Sequence, residues 1–346
     1  MARIHELALV FPLLLACQPE FDNRFSAVDS PRMLAVQASP AEVTPGTNMT
    51  FRTLVADAQG TVDTPDIHWS FCTQPKPSSE LNDVSTQCFG SGDAVMPFAT
   101  GPTAMGAMPK NACRQFGPDI PQTMPGEPPG RPTDADSSGG YYQPLILSVK
   151  VDDQNIDTLA EARITCGLAN ASGSQLEEYR ARSKPNENPR LTQVIATTLD
   201  DARLQNGADA ALKVQHGATI TLRASWPSCP TEPACGDGMC TSGEDSTACP
   251  DDCLQPIGCT GPEEYAYLDP SSGAIVTRHE SMRVSWFTTQ GTFRDDRTGS
   301  LEADFAVTTS DNTWTAPNTP GPVFMWVVLR DDRGGSDWQS YQLQVE

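Results

Sequence analysis

Apolar and polar residues alternate with a period of two in short runs along most of the chain. Met49, Phe51, Thr53 and Val55 alternate with Thr50, Arg52 and Leu54. Ile67, Trp69 and Phe71 alternate with His68 and Ser70, and Leu145, Leu147, Val149 and Val151 with Ile146, Ser148 and Lys150. This period, carried largely by β-branched and aromatic residues, predicts strands with one buried face. Pro45-Gly46 and Ala58-Gln59-Gly60 supply the turns. In the second half Ile220, Leu222, Ala224 and Trp226, and then Met282, Val284 and Trp286, alternate in the same way. Val323 to Leu329 (VFMWVVL) is apolar throughout, which predicts a central strand covered on both faces. Trp338, Tyr341, Leu343 and Val345 predict a last strand, and Asp331-Asp332-Arg333-Gly334-Gly335 the hairpin connection before it.

The two halves share residues as well as period. Gly46-Thr-Asn-Met-Thr-Phe-Arg52 and Gly217-Ala-Thr-Ile-Thr-Leu-Arg223 both read Gly-x-x-apolar-Thr-apolar-Arg, and a Trp-bearing strand lies downstream of each (Trp69, Trp286). On these residues both halves, 31–170 and 191–346, resemble immunoglobulin-like β-sandwiches of bacterial surface lipoproteins. The resemblance implies an all-β fold with a core Trp in each domain. Between the halves, Ser174-Gln-Leu-Glu177 matches a capping box and predicts a short helix to about Arg182. Lys184-Pro-Asn-Glu-Asn-Pro-Arg190 then predicts an interdomain linker within 171–190 that a protease cuts first.

Two insertions interrupt the strands. Residues 73–140 read as a long proline-rich loop, with nine prolines between Pro97 and Pro132, a density expected to exclude regular helix and central strand. Asp134-Ala-Asp136-Ser-Ser138-Gly139 is similar to the opening of a calcium loop, but its twelfth position is Leu145 rather than Glu, so a polar turn is the expectation. The second insertion, 229–259, carries Cys229, Cys235, Cys240, Cys249, Cys253 and Cys259. Its core resembles the CGDGxCxxGEDxxxCxxDC repeats of secreted bacterial proteins. So small a segment folds on disulfides in place of a core. Its Asp237, Glu244, Asp245, Asp251 and Asp252 make either a solvated acidic knob or a Ca²⁺ site.

The N-terminus carries an address. Leu7 to Ala16 is an apolar run of secretory-signal length, too short to span a bilayer. Its end, Leu14-Leu15-Ala16-Cys17, resembles the lipobox of bacterial lipoproteins. The resemblance implies a signal peptide at 1–16 and acylation of Cys17, and Gln18 favours the outer membrane. Residues 17–30 are then a polar tether. Lipidation of Cys17 leaves ten of the 11 cysteines, an even number that suits five disulfides in an oxidising compartment. Cys72, Cys88, Cys113 and Cys166 allow three connectivities, of which Cys88–Cys113 with Cys72–Cys166 across neighbouring strands is the expectation.

Charge narrows the partners. With 23 basic and 44 acidic residues the net charge is −21, which opposes nucleic-acid binding. Neither a His-Glu-x-x-His motif, a Gly-x-Ser-x-Gly elbow nor a phosphate loop occurs. The expectation is an outer-membrane-anchored, non-catalytic binding or structural module. It would need no cofactor beyond Ca²⁺ in the insert and would meet the membrane through its lipid and a protein or glycan ligand. The alternative is a secreted hydrolase, or the accessory domain of one, acting on envelope or extracellular polysaccharide. Two carboxyls facing across an open cleft would favour that alternative.

Overall fold

A computed structural model describes residues 25–75, 84–90, 92–118, 137–205, 207–229, 235–236, 249 and 259–346. The first half contains β1 (Arg32–Ser39), β2 (Glu42–Val43), β3 (Asn48–Asp57), β4 (Gly60–Thr61), β5 (Asp66–Cys72), β6 (Val95–Thr100), β7 (Thr103–Ala107), β8 (Gly140–Val151) and β9 (Gln154–Thr165). One sheet runs β1-β3-β4 with β7 also on β3; the other runs β2-β9-β8-β5-β6. Their inward residues close one core, in which Met49, Phe51 and Val55 of β3 meet Ile67, Trp69 and Phe71 of β5 and Leu145, Leu147 and Val149 of β8.

The second half repeats the plan with β10 (Gln193–Ala196), β11 (Ala202–Arg203), β12 (Gly207–Val214), β13 (Thr219–Ser225), β14 (Glu264–Leu268), β15 (Ile275–His279), β16 (Met282–Thr288), β17 (Thr292–Phe293), β18 (Arg297–Ser300), β19 (Thr309–Thr315), β20 (Gly321–Arg330) and β21 (Ser336–Val345). Its sheets run β11-β10-β13-β19-β17 and β12-β21-β20-β16-β18. In both halves the first strand pairs antiparallel in one sheet, and a strand soon after it crosses over to lie parallel to the last strand of the other: β2 on β9 and, after the short β11, β12 on β21. The chain is therefore all-β, two immunoglobulin-like sandwiches of one topology.

The shared heptapeptide occupies the same place in each, at the start of β3 and of β13. Gly46 and Gly217 both enter the strand at positive φ (87° and 66°), a conformation that favours glycine. Trp69 and Trp286 are fully buried and satisfy their indole N–H on Gly101 O (2.7 Å) and Thr298 Oγ1 (2.9 Å).

The sandwiches also pack on each other. Leu54 and Ala56, on the outward face of β3, with Leu34 and Ala35 of β1, meet Phe287, Trp326 and Val328 on the outward face of β16 and β20. The second face of the VFMWVVL strand is thus covered by the other sandwich, and Trp326 Nε1 donates to Thr61 Oγ1 across the seam (2.8 Å).

Several expectations change. Pro97 sits inside β6, because β6 is an edge strand and the missing N–H falls at a register shift opposite Trp69 and Ser70. β7 and a short α1 (Ala112–Gln115) follow within the proline-rich stretch. The helix between the sandwiches, α2 (Gly173–Arg182), starts two residues early. Its capping box is Ser172 with Gln175, whose N–H donates to Ser172 Oγ (3.3 Å) while Ser172 N–H donates to Gln175 Oε1 (2.7 Å). The expected tether is docked from Phe25 onward: Thr288 N–H donates to Ser26 O, Val28 N–H to Thr288 O, and Ser26 N–H to Asp296 Oδ1. The expected free linker is buried at Asn186 and Pro189, for reasons given below.

The cysteines pair as Cys72–Cys88 and Cys113–Cys166, which corrects the expected connectivity. Cys72 ends β5 and Cys166 follows β9, but β8 lies between those strands. Two strand spacings, about 9–10 Å, exceed the roughly 7 Å that a disulfide spans between Cα atoms. Cys229–Cys259 closes the base of the second insertion, and Cys235–Cys249 lies within it.

Candidate functional site at the junction of the sandwiches

Where the sandwiches meet, charged side chains are sealed inside. Arg333, at the tip of the β20–β21 hairpin, donates through Nε to Glu280 Oε1 (2.7 Å) and through Nη2 to Glu263 Oε1. Its guanidinium lies over the Tyr265 ring, 4.9 Å from the centroid. Glu263 and Glu280 flank the β14–β15 hairpin and hold each other: Glu280 N–H donates to Glu263 O (3.0 Å), and Glu263 N–H to Glu280 Oε2 (3.2 Å). Asp331 accepts from the Arg333 and Gly335 N–H groups (2.9 and 2.7 Å) and from Asn186 Nδ2. A Cβ on Gly335 would stand 2.1 Å from Asp331 Oδ2, so only glycine fits that approach.

The linker ties this group to the first sandwich. Asn186 N–H donates to Glu42 Oε2 (2.9 Å), which also accepts from Arg163 Nε (3.0 Å); Thr165 Oγ1 donates to Glu42 Oε1 (2.8 Å). Arg163 continues to Tyr142 OH and Ser138 Oγ. Ser138 of the calcium-loop-like stretch therefore serves as a polar turn leading into β8. Glu187 N–H donates to Glu263 Oε1, and Arg333 Nη1 to Lys184 O. The linker is a strap laced through the junction, which is why it is buried rather than free.

The electrostatics follow from the count of groups. Two carboxyls, Glu263 and Glu280, contact one guanidinium while a third, Asp331, is buried beside it on backbone N–H groups, and a lone cation cannot balance three anions at low dielectric. Burial pushes Glu263 up to about 8 and holds Glu280 and Asp331 above the ordinary carboxylate range, against the pull of Arg333. Glu263 Oε2 is buried without a hydrogen-bond partner, as suits a neutral carboxyl better than an anion. For Glu42 burial acts upward too, but Arg163, Arg333, the Asn186 N–H and the Thr165 hydroxyl together lower it below the usual value.

A pH dependence follows. Between about 4.5 and 8 the folded chain keeps a proton on Glu263 that the unfolded chain has released, so this group's contribution to stability declines as pH rises through that window. Glu42 acts oppositely, its contribution being lost as pH falls through its lowered value. The Glu263→Gln variant mimics the neutral carboxyl, so its melting temperature should fall less than the wild type's between pH 6 and 9. Parallel profiles would mean that Glu263 is ionised throughout.

These carboxyls are sealed, Glu280 being 1% and Glu263 3% exposed, so they face no cleft. Among the described residues no group of three or more His, Cys, Asp or Glu is arranged to hold a metal. Of the residues singled out from sequence, Cys17, Cys240 and Cys253, Asp134 and Asp136 of the calcium-loop-like stretch, and the acidic Asp237, Glu244, Asp245, Asp251 and Asp252 lie outside the described residues. Arg163, Arg333, Glu42, Glu263 and Glu280 were missed, because charged residues in turns and at strand ends carry no local signal of burial.

No protein-family model matches the chain. No curated protein matches it either. Among solved structures, Escherichia coli alpha-2-macroglobulin in its native conformation is 8% identical with a TM-score of 0.21, over 92% of this chain and 17% of that one. Dimeric latent PorU from Porphyromonas gingivalis is 9% identical with a TM-score of 0.19, over 92% and 24%. A glycosyl hydrolase family 2 member from Bacteroides cellulosilyticus is 5% identical with a TM-score of 0.19, over 90% and 29%. The chain spans less than a third of the length of each. Likeness at this level carries no argument about activity.

Proposed function

We propose that the chain is a lipid-anchored, non-catalytic binding or structural module of the outer membrane, a rigid pair of sandwiches held close to the bilayer through Cys17. The observation that supports this reading is the short path from Cys17 to the docked segment. Seven residues lie between Cys17 and Phe25, so the eight steps reach at most about 29 Å fully extended. Phe25 packs against Phe287 (ring centroids 5.4 Å) under the guanidiniums of Arg297 and Arg32. An acylated Cys17 would therefore hold a body without a hinge, since the strap and the apolar seam join the sandwiches. Acyl chains at about 0.8 kcal/mol per buried CH₂ make such an anchor stable.

Fractionation of cells expressing the Cys17→Ser protein tests the anchor. The wild type should sediment with membranes and incorporate labelled palmitate, and the variant should do neither. A variant that still sediments in the membrane fraction would overturn the anchor.

A further inference from the structure

We propose that the outward face of β16 and β18 is the surface that rests on the bilayer, with Arg283 and Arg297 seated on the phosphates of anionic lipid headgroups. This deepens the proposed function and rests on the Cys17 anchor: the acyl chains hold the body, and the arginines set which face meets the lipid.

The register places the arginines together. Val284 and Trp286 of β16 point into the second core, so Arg283, Ser285 and Phe287 point out. Arg297 stands opposite Ser285 on β18, and Arg330 opposite Arg283 on β20, so all three arginines share the outward face. Arg32 of β1 joins them from the first sandwich. Its guanidinium and that of Arg297 both lie over the Phe25 ring, 5.4 and 4.4 Å from the centroid.

The chain has 44 acidic and 23 basic residues, and on other faces its arginines hold carboxylates, as in Arg52–Asp337, Arg223–Asp311 and Arg278–Glu302. Arg283 and Arg297 are exposed, and among the described residues their guanidiniums make neither a hydrogen bond nor an ion pair. The half-buried Arg32 and Arg330 donate to uncharged oxygens, Arg32 to Phe25 O and Ala27 O, Arg330 to Leu34 O and Ser285 Oγ. Acids of the flanking turns have other donors, Asp296 the Ser26 N–H and Asp332 the Ser281 hydroxyl. Burial, then Arg297 and Arg283, lower Arg330 to about 10. Planar guanidiniums without carboxylates suit phosphate oxygens, which they grip in pairs.

Position names the occupant. Phe25 packs on Phe287 beside these arginines and begins the docked chain, eight steps from Cys17. It is 36% exposed, an apolar edge that suits the boundary of headgroups and acyl chains. Gln18 to Arg24 holds two acids and one arginine, so the tether brings no basic signal of its own. A body of net charge −21 is repelled by anionic headgroups over a Debye length of about 10 Å at 0.1 M salt. A face of arginines without carboxylates approaches instead, and each arginine near such a surface favours that orientation by about fivefold.

The test uses the acylated full-length protein reconstituted in phosphatidylcholine vesicles with or without phosphatidylglycerol. Phenylglyoxal labels accessible arginines, and mass spectrometry reads each site. Arg283 and Arg297 should be protected on the anionic vesicles and labelled on the zwitterionic ones. Arg223, on the outward face of the other sheet of that sandwich, should be labelled on both. Salt at 1 M, where the Debye length is about 3 Å, should abolish the protection. Hydrogen exchange gives a readout that survives substitution: the β18 amides, Arg297–Ser300, should slow on anionic vesicles in the wild type. In the Arg283→Gln, Arg297→Gln double variant, which alters two exposed side chains, the orientation should weaken on the order of thirtyfold and the slowing should vanish. Equal labelling on both vesicles, protection that persists at 1 M salt, or slowing retained in the double variant would each overturn the proposal. Protection by millimolar inorganic phosphate on phosphatidylcholine vesicles would assign the arginines to a free anion and overturn the lipid surface. A failed anchor reads differently: the protein then stays in the supernatant of phosphatidylcholine vesicles, and labelling on anionic vesicles is compared with that of the free protein.

Discussion

Replacing Arg333 by Met should lower the unfolding free energy at neutral pH by roughly 3–5 kcal/mol, the usual cost of removing one partner from a buried ion pair. For a chain of this size that is a drop in melting temperature on the order of 10 °C. The reason is what remains behind. Glu263 and Glu280 lose their shared cation, and Asp331 and Glu42 lose a stabilising charge. Any of those carboxyls still ionised at neutral pH can then avoid bare burial only by taking up a proton, so the deficit should shrink as pH falls toward 5. A double-mutant cycle of Arg333→Met with Glu263→Gln would measure how much of the loss runs through Glu263. A single-variant change below about 1 kcal/mol would mean that water reaches the cluster and screens it.

Truncating Trp326 to Ala should cost about 3–5 kcal/mol, as for a fully buried aromatic side chain. It should also change the form of the transition. Trp326 points away from its own core, is 1% exposed, and fills the seam against the first sandwich while donating to Thr61. Its neighbours Met325 and Val327 point inward and stay with the second core. Loss of the indole therefore weakens the docking of two otherwise intact sandwiches. Calorimetry should show one cooperative transition for the wild type and two resolved ones for Trp326→Ala. A single shifted transition would mean that the strap through Asn186 and Arg333 suffices to couple the halves.

Much of the fold was legible because strands report their own burial. One face of β3, β5, β8, β13 and β16 reads directly from the period of two, and the heptapeptide at Gly46 and Gly217 marks the same strand in both sandwiches. Even the docking seam left a trace, since β20 is apolar on both faces. The proline-rich stretch misled because proline is excluded from central strands but tolerated at an edge, and only sheet order shows that β6 is one. The disulfide expectation failed for a related reason: adjacency of β5 and β9 depends on where β8 inserts.

The all-β class, the two-fold repeat of the sandwich and the strand faces are written in the order of residues, since each depends on contacts whose residue types recur at fixed local spacing. It took the packed chain to show that the linker is a buried strap, that Arg333 gathers carboxyls from three segments, and that polar side chains of the second sandwich cap the β1 edge. Those facts join residues as distant as Glu42 and Arg333. Charged side chains look alike in sequence whether water or a distant guanidinium receives them, and only the packed chain distinguishes the two.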